Sequence, residues 1–311
     1  MNRQSIRIIF MGTPEFAAQS LEALVDGGFN VVAVVTAPDK PAGRGLQLQQ
    51  SAVKKLALQH HIPVLQPEKL KDPEFLETLK VYRADVQVVV AFRMLPEVVW
   101  NMPPMGTINV HGSLLPDYRG AAPIHHAVMN GETMTGVTTF KLKHEIDTGD
   151  ILLQDSLAIG PDETTGSLHD RMMVAGAQLL LKTLDQLIAG TVQPIPQAMQ
   201  SAKHAPKIHT EDCVLDFQKT AGEVHNHVRG LSPFPGAFTG IGGKMLKIFR
   251  TSLTVIPSEK AGKISTDGKT HFRIHCSDFQ LEVTELQLEG KKKMPVADFL
   301  RGYRLSESSV G

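Results

Sequence analysis

Two polar side chains close an apolar run near the middle of the chain. Asn109 and His111 end the stretch that begins at Thr107, and residues two apart in a strand share a face. An amide N–H can stabilise a developing oxyanion, and an imidazole with a pKa of ~6.5 can carry charge or move a proton at neutral pH. A hydrogen-bonded pair closing a core strand is the plainer alternative. Just downstream, Gly112, Ser113-Leu114-Leu115-Pro116 and Arg119-Gly120-Ala121-Ala122-Pro123 form a turn of small and proline residues, suited to a backbone wall for a flat ligand. Further on, the polar loop from Leu142 to Leu152 carries Asp147-Thr148-Gly149-Asp150 between two apolar runs. Loops held by a rigid scaffold often carry function. Taken alone, this one reads as a hairpin with solvated charges.

Spacing excludes several other chemistries. The turn Phe10-Met11-Gly12-Thr13-Pro14-Glu15 holds one glycine where a dinucleotide loop needs several, and no Walker lysine follows it. Nicotinamide cofactors and ATP are therefore not expected. Among the 13 histidines, His60-His61, His125-His126 and His225-x-His227 point to different faces of a helix, and no carboxylate–histidine spacing resembles a hydrolytic zinc site. These histidines are expected at the surface, and no metal is expected. Cys213 and Cys276 are too few for a disulfide framework. The apolar window at Ile6 to Phe10 is too short for a signal-peptide core, and nothing approaches the ~18 apolar residues of a membrane span. A cytoplasmic protein without a membrane partner is expected, with a monomer as the default.

The elements that must hold Asn109 and His111 alternate between strand and helix. Ile6–Met11, Val31–Val35, Val86–Ala91 and Thr107–Val110 are unalternating apolar runs. With helices between them, they indicate an open, mostly parallel Rossmann-like α/β sheet covered on both faces. Such sheets place ligands at the carboxyl ends of their strands. Thr13 as N-cap with Pro14 at the first helical position opens one helix, about Ser51 to His61 gives a second, and Thr165 to Ala189 a third.

Gln193-Pro194-Ile195-Pro196 through Pro206 lacks periodicity and reads as a linker. Beyond it, a helix from Thr220 to Gly230 leads into short strands at Lys244–Phe249, Thr270–His275 and Leu281–Leu288. Gly242-Gly243 and Asp267-Gly268 turns separate them, as in a small OB-like β-barrel. The expected organisation is a catalytic domain over 1–190, a linker over 191–207 and a second domain over 208–311. Lys plus Arg equals Asp plus Glu at 32 each, which rules out a nucleic-acid coat protein. The balance is uneven, however: residues 1–200 carry a net −4 and residues 201–311 a net +4, hinting at a polyanion-facing C-terminal part.

Taken together, Asn109-x-His111, Ser113-Leu114-Leu115-Pro116, Arg119-Gly120-Ala121-Ala122-Pro123 and Asp147-Thr148-Gly149-Asp150 resemble the formyltransferase family that uses 10-formyltetrahydrofolate. Phe10-Met11-Gly12-Thr13-Pro14-Glu15-Phe16, the loop Pro38 to Gly45, and Ser232-Pro233-Phe234-Pro235-Gly236-Ala237 extend the likeness over nearly the whole chain. The resemblance is strongest to members whose acceptor is methionyl initiator tRNA. It implies that Asn109, His111 and Asp147 are catalytic. It also implies that Ser113, Leu114, Leu115 and Pro116, with Phe92, Met94 and Leu95, line the folate site. Arg44 and Lys40 would contact the tRNA, with the second domain and Lys291-Lys292-Lys293 neutralising its backbone. The co-substrate would be 10-formyltetrahydrofolate, with no metal and no covalent intermediate. Ala91-Phe92-Arg93 departs from the family's Ala-Tyr-Gly pattern. The same trio would serve a formyltransferase acting on a sugar nucleotide or small amine, or a hydrolase of the folate. A non-catalytic tRNA- or folate-binding protein is the remaining alternative.

Overall fold

The computed structural model describes residues 1–42, 47–198, 203–303 and 309–310. The chain forms two compact units. The first comprises Met1–Arg119, Gly136–Leu157 and Asp170–His204, and the second Gly120–Thr135, Ala158–His169 and Ala205–Gly311. Two segments that precede the expected linker thus fold with the C-terminal part. No helix among the described residues is long and apolar enough to cross a membrane.

The first unit is a seven-stranded sheet. Its strands are β1 (Arg7–Gly12), β2 (Asn30–Val35), β3 (Val64–Leu65), β4 (Val86–Val90), β5 (Thr107–His111), β6 (Met134–Lys141) and β7 (Ile151–Ala158), in the order β7-β6-β5-β4-β1-β2-β3. β1 to β5 pair in parallel, and β6 joins β5 antiparallel. All five residues of β4 are buried, as a strand covered on both faces requires. On one face the helix Thr165–Ala189 comes close at Gly176, where a Cβ would stand 3.2 Å from Val110 and 3.6 Å from Phe16. On the other face Ile9, Met11, Ala33, Val35, Val89 and Leu95 pack with Phe75 and Leu79 of α3 (Pro73–Val81).

Local chemistry sets the helix starts. α1 runs Glu15–Asp26, one residue later than expected. Pro14 is its N-cap, and its carbonyl accepts from the N–H groups of Ala17 and Ala18 in place of a Thr13 side-chain cap. α2 covers Ala52–Gln59, and the Ser51 hydroxyl accepts from Lys54 N at 3.0 Å.

The second unit is built on a six-stranded antiparallel sheet. Ala237–Ile241, Lys244–Pro257, Phe279–Leu288, Phe272–His275 and Ile264–Thr266 follow one another across it, and Met294–Pro295 pairs with Phe279–Leu288. The strand expected to stop at Phe249 continues to Pro257. Three register shifts against Phe279–Leu288 let it bend and keep pairing. The helix Ala221–Gly230 starts at a capping box in which Thr220 and Glu223 bond each other's backbone N–H. Its Gly230 lies so close to the helix Pro123–Met129 that a Cβ there would fall 2.3 Å from Met129 Cγ. The surface expectation for the histidines fails at His225, which is 4% exposed on this helix's buried face.

Candidate active site

Asn109 and His111 stand at the carboxyl end of β5. In register, Asn109 lies between Val89 of β4 and Phe140 of β6, so it shares a face with those apolar neighbours. Its side chain is half-buried and makes no hydrogen bond among the described residues. That leaves its amide N–H groups available. His111 is buried, with Phe140 edge-on at 6.4 Å between ring centroids. Its Nε2 lies 2.9 Å from the Tyr118 carbonyl oxygen. A carbonyl only accepts, so Nε2 carries a hydrogen whether the ring is neutral or cationic. Nδ1 is therefore the nitrogen whose hydrogen the backbone does not fix.

Nδ1 faces Asp147. Asp147 Oδ2 is 3.9 Å away, and both side chains are nearly closed to solvent. This is longer than a hydrogen bond but close enough for strong attraction once the ring is charged. A neutral ring would turn a lone pair toward the carboxylate. The loop expected to be a solvated hairpin thus delivers its central aspartate inward. Asp147 adopts a left-handed backbone, φ 54°, which aspartate tolerates better than most residues. Two positions later Gly149 is packed so tightly that a Cβ would lie 1.7 Å from the Lys141 carbonyl oxygen. Lys143 and Asp150 pair at 2.7 Å on the outer side of the loop.

The turn after β5 is fixed by its own polar groups. Ser113 is fully buried, and its hydroxyl donates to the Asp117 carbonyl at 2.6 Å. Thr138 Oγ1 donates to the Ser113 carbonyl and accepts from Leu115 N, while Gln154 Nε2 donates to the Leu115 carbonyl. Leu115 packs with Phe140 and Ile151. Leu114 and Pro116 remain half-buried. At the end of β4, Leu95 is core, Phe92 is half-buried and Met94 is 71% exposed. The departure at Phe92-Arg93 has a local explanation. Arg93 lies over the Phe92 ring at 5.6 Å and donates to the carbonyls of Glu68 and Pro67. Lys40 is exposed at the start of a short hairpin, Lys40–Ala42 with Gln47–Gln49, and Arg44 lies outside the described residues. Asp39 anchors the hairpin's base. Its carboxylate accepts from Lys54 and Gln66, bonds that hold it below the usual carboxylate range. No group of three or more candidate metal ligands occurs among the described residues.

The formyl transferase family model matches residues 6–184, and the model of the family's C-terminal domain matches residues 207–304. The chain belongs to the formyl transferase family. This formyltransferase is 49% identical to a methionyl-tRNA formyltransferase of Parabacteroides distasonis over the full length of both. It is 47% identical to one from Bacteroides fragilis, covering 99% of this chain and 98% of that one. A solved N-formyltransferase from Helicobacter canadensis, in complex with folinic acid and dTDP-3-aminofucose, superposes with a TM-score of 0.67. It shares 22% identity, over 89% of this chain and 98% of that one.

Sequence reasoning missed the groups that hold the formyltransferase's trio in place. The Tyr118 carbonyl and the Phe140 ring follow from β5–β6 pairing and the turn between, which no spacing signals. Gln197 lies in the stretch read as a linker. It donates to the carbonyls of both Asp147 and Gly149.

Proposed function

We propose that this formyltransferase moves the formyl group of 10-formyltetrahydrofolate to the α-amine of methionyl initiator tRNA, acting as a monomer in the cytoplasm. Domain 1–190 would do the chemistry, 191–207 would connect, and 208–311 would help hold the tRNA. The observation that carries the reading is the approach of His111 Nδ1 to Asp147 on the face where the Asn109 amide is unbonded. Near-full-length identity to methionyl-tRNA formyltransferases supports the choice of acceptor.

The chemistry asks three things of the protein. The amine nitrogen forms a bond to the formyl carbon, the carbon's bond to the folate nitrogen breaks, and one proton passes from amine to folate nitrogen. Asn109 donates its amide N–H to the oxyanion of the tetrahedral centre. A donor of this kind in a desolvated site contributes roughly 2.7–4 kcal/mol. His111 holds or passes the proton at Nδ1. Asp147 orients the ring and a water for the transfer.

Phe92, Met94 and Leu95 would enclose the pterin, while Ser113, Leu114, Leu115 and Pro116 form the wall beside it. Ser113, Leu115 and Leu95, being buried, would shape that wall from behind. Lys40 and Arg44 would meet the tRNA, whose binding should weaken steeply with salt.

The deciding experiment is tetrahydrofolate release from 10-formyltetrahydrofolate with and without methionyl initiator tRNA. Release that requires the tRNA, with formyl recovered on methionine, is expected. Release without tRNA would make the protein a hydrolase, and release only with an amino sugar nucleotide would replace the acceptor.

A further inference from the structure

We propose that Gln197 is a positioning residue for formyl transfer. In this reading its side-chain amide, from the segment between the two family-matched regions, holds the Asp147 loop so that the carboxylate meets His111. The inference rests on the catalytic reading of Asp147.

Two backbone bonds set the register that brings Gln197 there. Ile195 and Ile151 exchange N–H···O bonds, each 2.8 Å. The segment is thereby tied to the start of β7, directly after the Asp147 loop. Two residues on, the Gln197 amide uses its full bonding capacity. Nε2 donates to the Asp147 carbonyl at 2.9 Å and to the Gly149 carbonyl at 2.7 Å. Oε1 accepts from Arg119 Nε at 3.0 Å and from a second Arg119 nitrogen at 2.7 Å. Two donors and two lone pairs are all engaged, and each partner accepts or donates only one way. The reversed amide would set oxygen against two carbonyls and NH2 against a guanidinium, so one orientation is fixed.

These bonds fall where the loop needs them. Asp147 has the left-handed backbone, and Gly149 is the point of closest packing on Lys141. Pinning the carbonyls of both leaves the carboxylate little freedom to leave Nδ1. The same segment braces the other side of the ring. The Lys203 carbonyl accepts from Tyr118 N at 2.6 Å, Lys203 N donates to Asp117 Oδ1 at 3.1 Å, and the Tyr118 carbonyl is the acceptor for His111 Nε2. A stretch without periodicity thus fastens the residues on both sides of the imidazole.

The test is a double-mutant cycle on the full chain with 10-formyltetrahydrofolate and methionyl initiator tRNA. Gln197→Glu keeps the acceptor for Arg119 and removes both donors, and Gln197→Met keeps the length without polarity should the first variant misfold. Each should lower kcat by about 10–100-fold, the cost of a misplaced catalytic group, with KM for both substrates within about threefold. In an Asp147→Asn background the same change should cost less than about threefold, because residues acting through one another are not additive. Amide exchange over residues 145–149 should rise in both variants while that of β4 stays unchanged. Parental kcat in both single variants would overturn the proposal, and so would an undiminished loss in the Asp147→Asn background. Parental kcat in Asp147→Asn alone would sink the reading of Asp147. That outcome differs from failure of the clamp, in which Asp147→Asn is slow and Gln197→Glu is not.

Discussion

His111 in the first unit has Nε2 bonded to a backbone carbonyl and Nδ1 facing a carboxylate across 3.9 Å. His225 in the second unit is as deeply buried, but both of its nitrogens are taken. Nδ1 meets the Thr251 hydroxyl at 2.8 Å and Nε2 the Pro161 carbonyl at 3.2 Å. Burial holds the His225 ring below the usual histidine value. One ring has a nitrogen facing a carboxylate beyond hydrogen-bond distance, and the other commits both nitrogens to hydrogen bonds.

That contrast makes substitutions in the two units fail differently. The largest effect is expected at Asn109→Ala, where loss of the proposed oxyanion donor should lower kcat by about 10²–10³-fold with little change in melting temperature. Steady-state kinetics beside a thermal melt tests this, and a large loss of folate affinity at normal kcat would break the assignment. Arg229→Ala should do the reverse. This buried guanidinium donates to the carbonyls of Gly160 and Glu163 and to Asn226. Removing it should cost about 2–3 kcal/mol in urea unfolding, with kcat of the folded enzyme unchanged.

Gly149→Ala should show both signatures, since its new methyl must push Lys141 or the Asp147 loop aside. About tenfold in kcat and roughly 1–2 kcal/mol of stability are expected. Gly268→Ala sharpens the comparison. Gly268 also belongs to a turn, with φ 72°, but a Cβ there meets nothing. Only the backbone penalty of about 1 kcal/mol should appear, without loss of kcat.

The smallest effect is set by pH. Burial depresses His125, His225, His227 and His275, all in the second unit. Below a pH of ~6.5 the unfolded chain takes up protons that these folded rings refuse, so stability falls as pH drops, by about 1 kcal/mol per pH unit for one such ring. Melting temperatures that hold constant from neutral pH down to about 5.5 would show that the rings charge without strain.

The parallel sheet was legible because strands buried on both faces are rich in apolar and β-branched residues: Val86–Val90 is interrupted only by Gln87, and Ile6–Met11 only by Arg7. The helix Thr165–Ala189 was legible from its length and from Gly190 at its end. Asn109 and His111 stood out as polar residues at two-residue spacing on a strand that has no structural need of them. Asp147 became visible only through the family resemblance, because a loop's inward direction depends on backbone angles such as φ 54° that composition does not encode. Gln197 left no signal. Its partners lie about 50 and 78 residues away, and its role arises from an antiparallel bridge between two isoleucines. The burial of His225 escaped notice because a paired His-x-His motif reads the same on either face of a helix.

The two interleaved segments, Gly120–Thr135 and Ala158–His169, bear on how this molecule can be cut and recombined. A gene fragment beginning at residue 208 would carry the antiparallel sheet and the helix Ala221–Gly230 but lose the helix Pro123–Met129, whose Met129 packs on that sheet's core. It would also lose Thr165, whose hydroxyl bonds the Gly230 carbonyl at 2.7 Å. Although the second family match begins at residue 207, the C-terminal portion is not a transplantable module. Chimeras that exchange it between relatives must bring 120–135 and 158–169 along. Recombination at residue 207 alone would set the antiparallel sheet against another protein's version of these two segments.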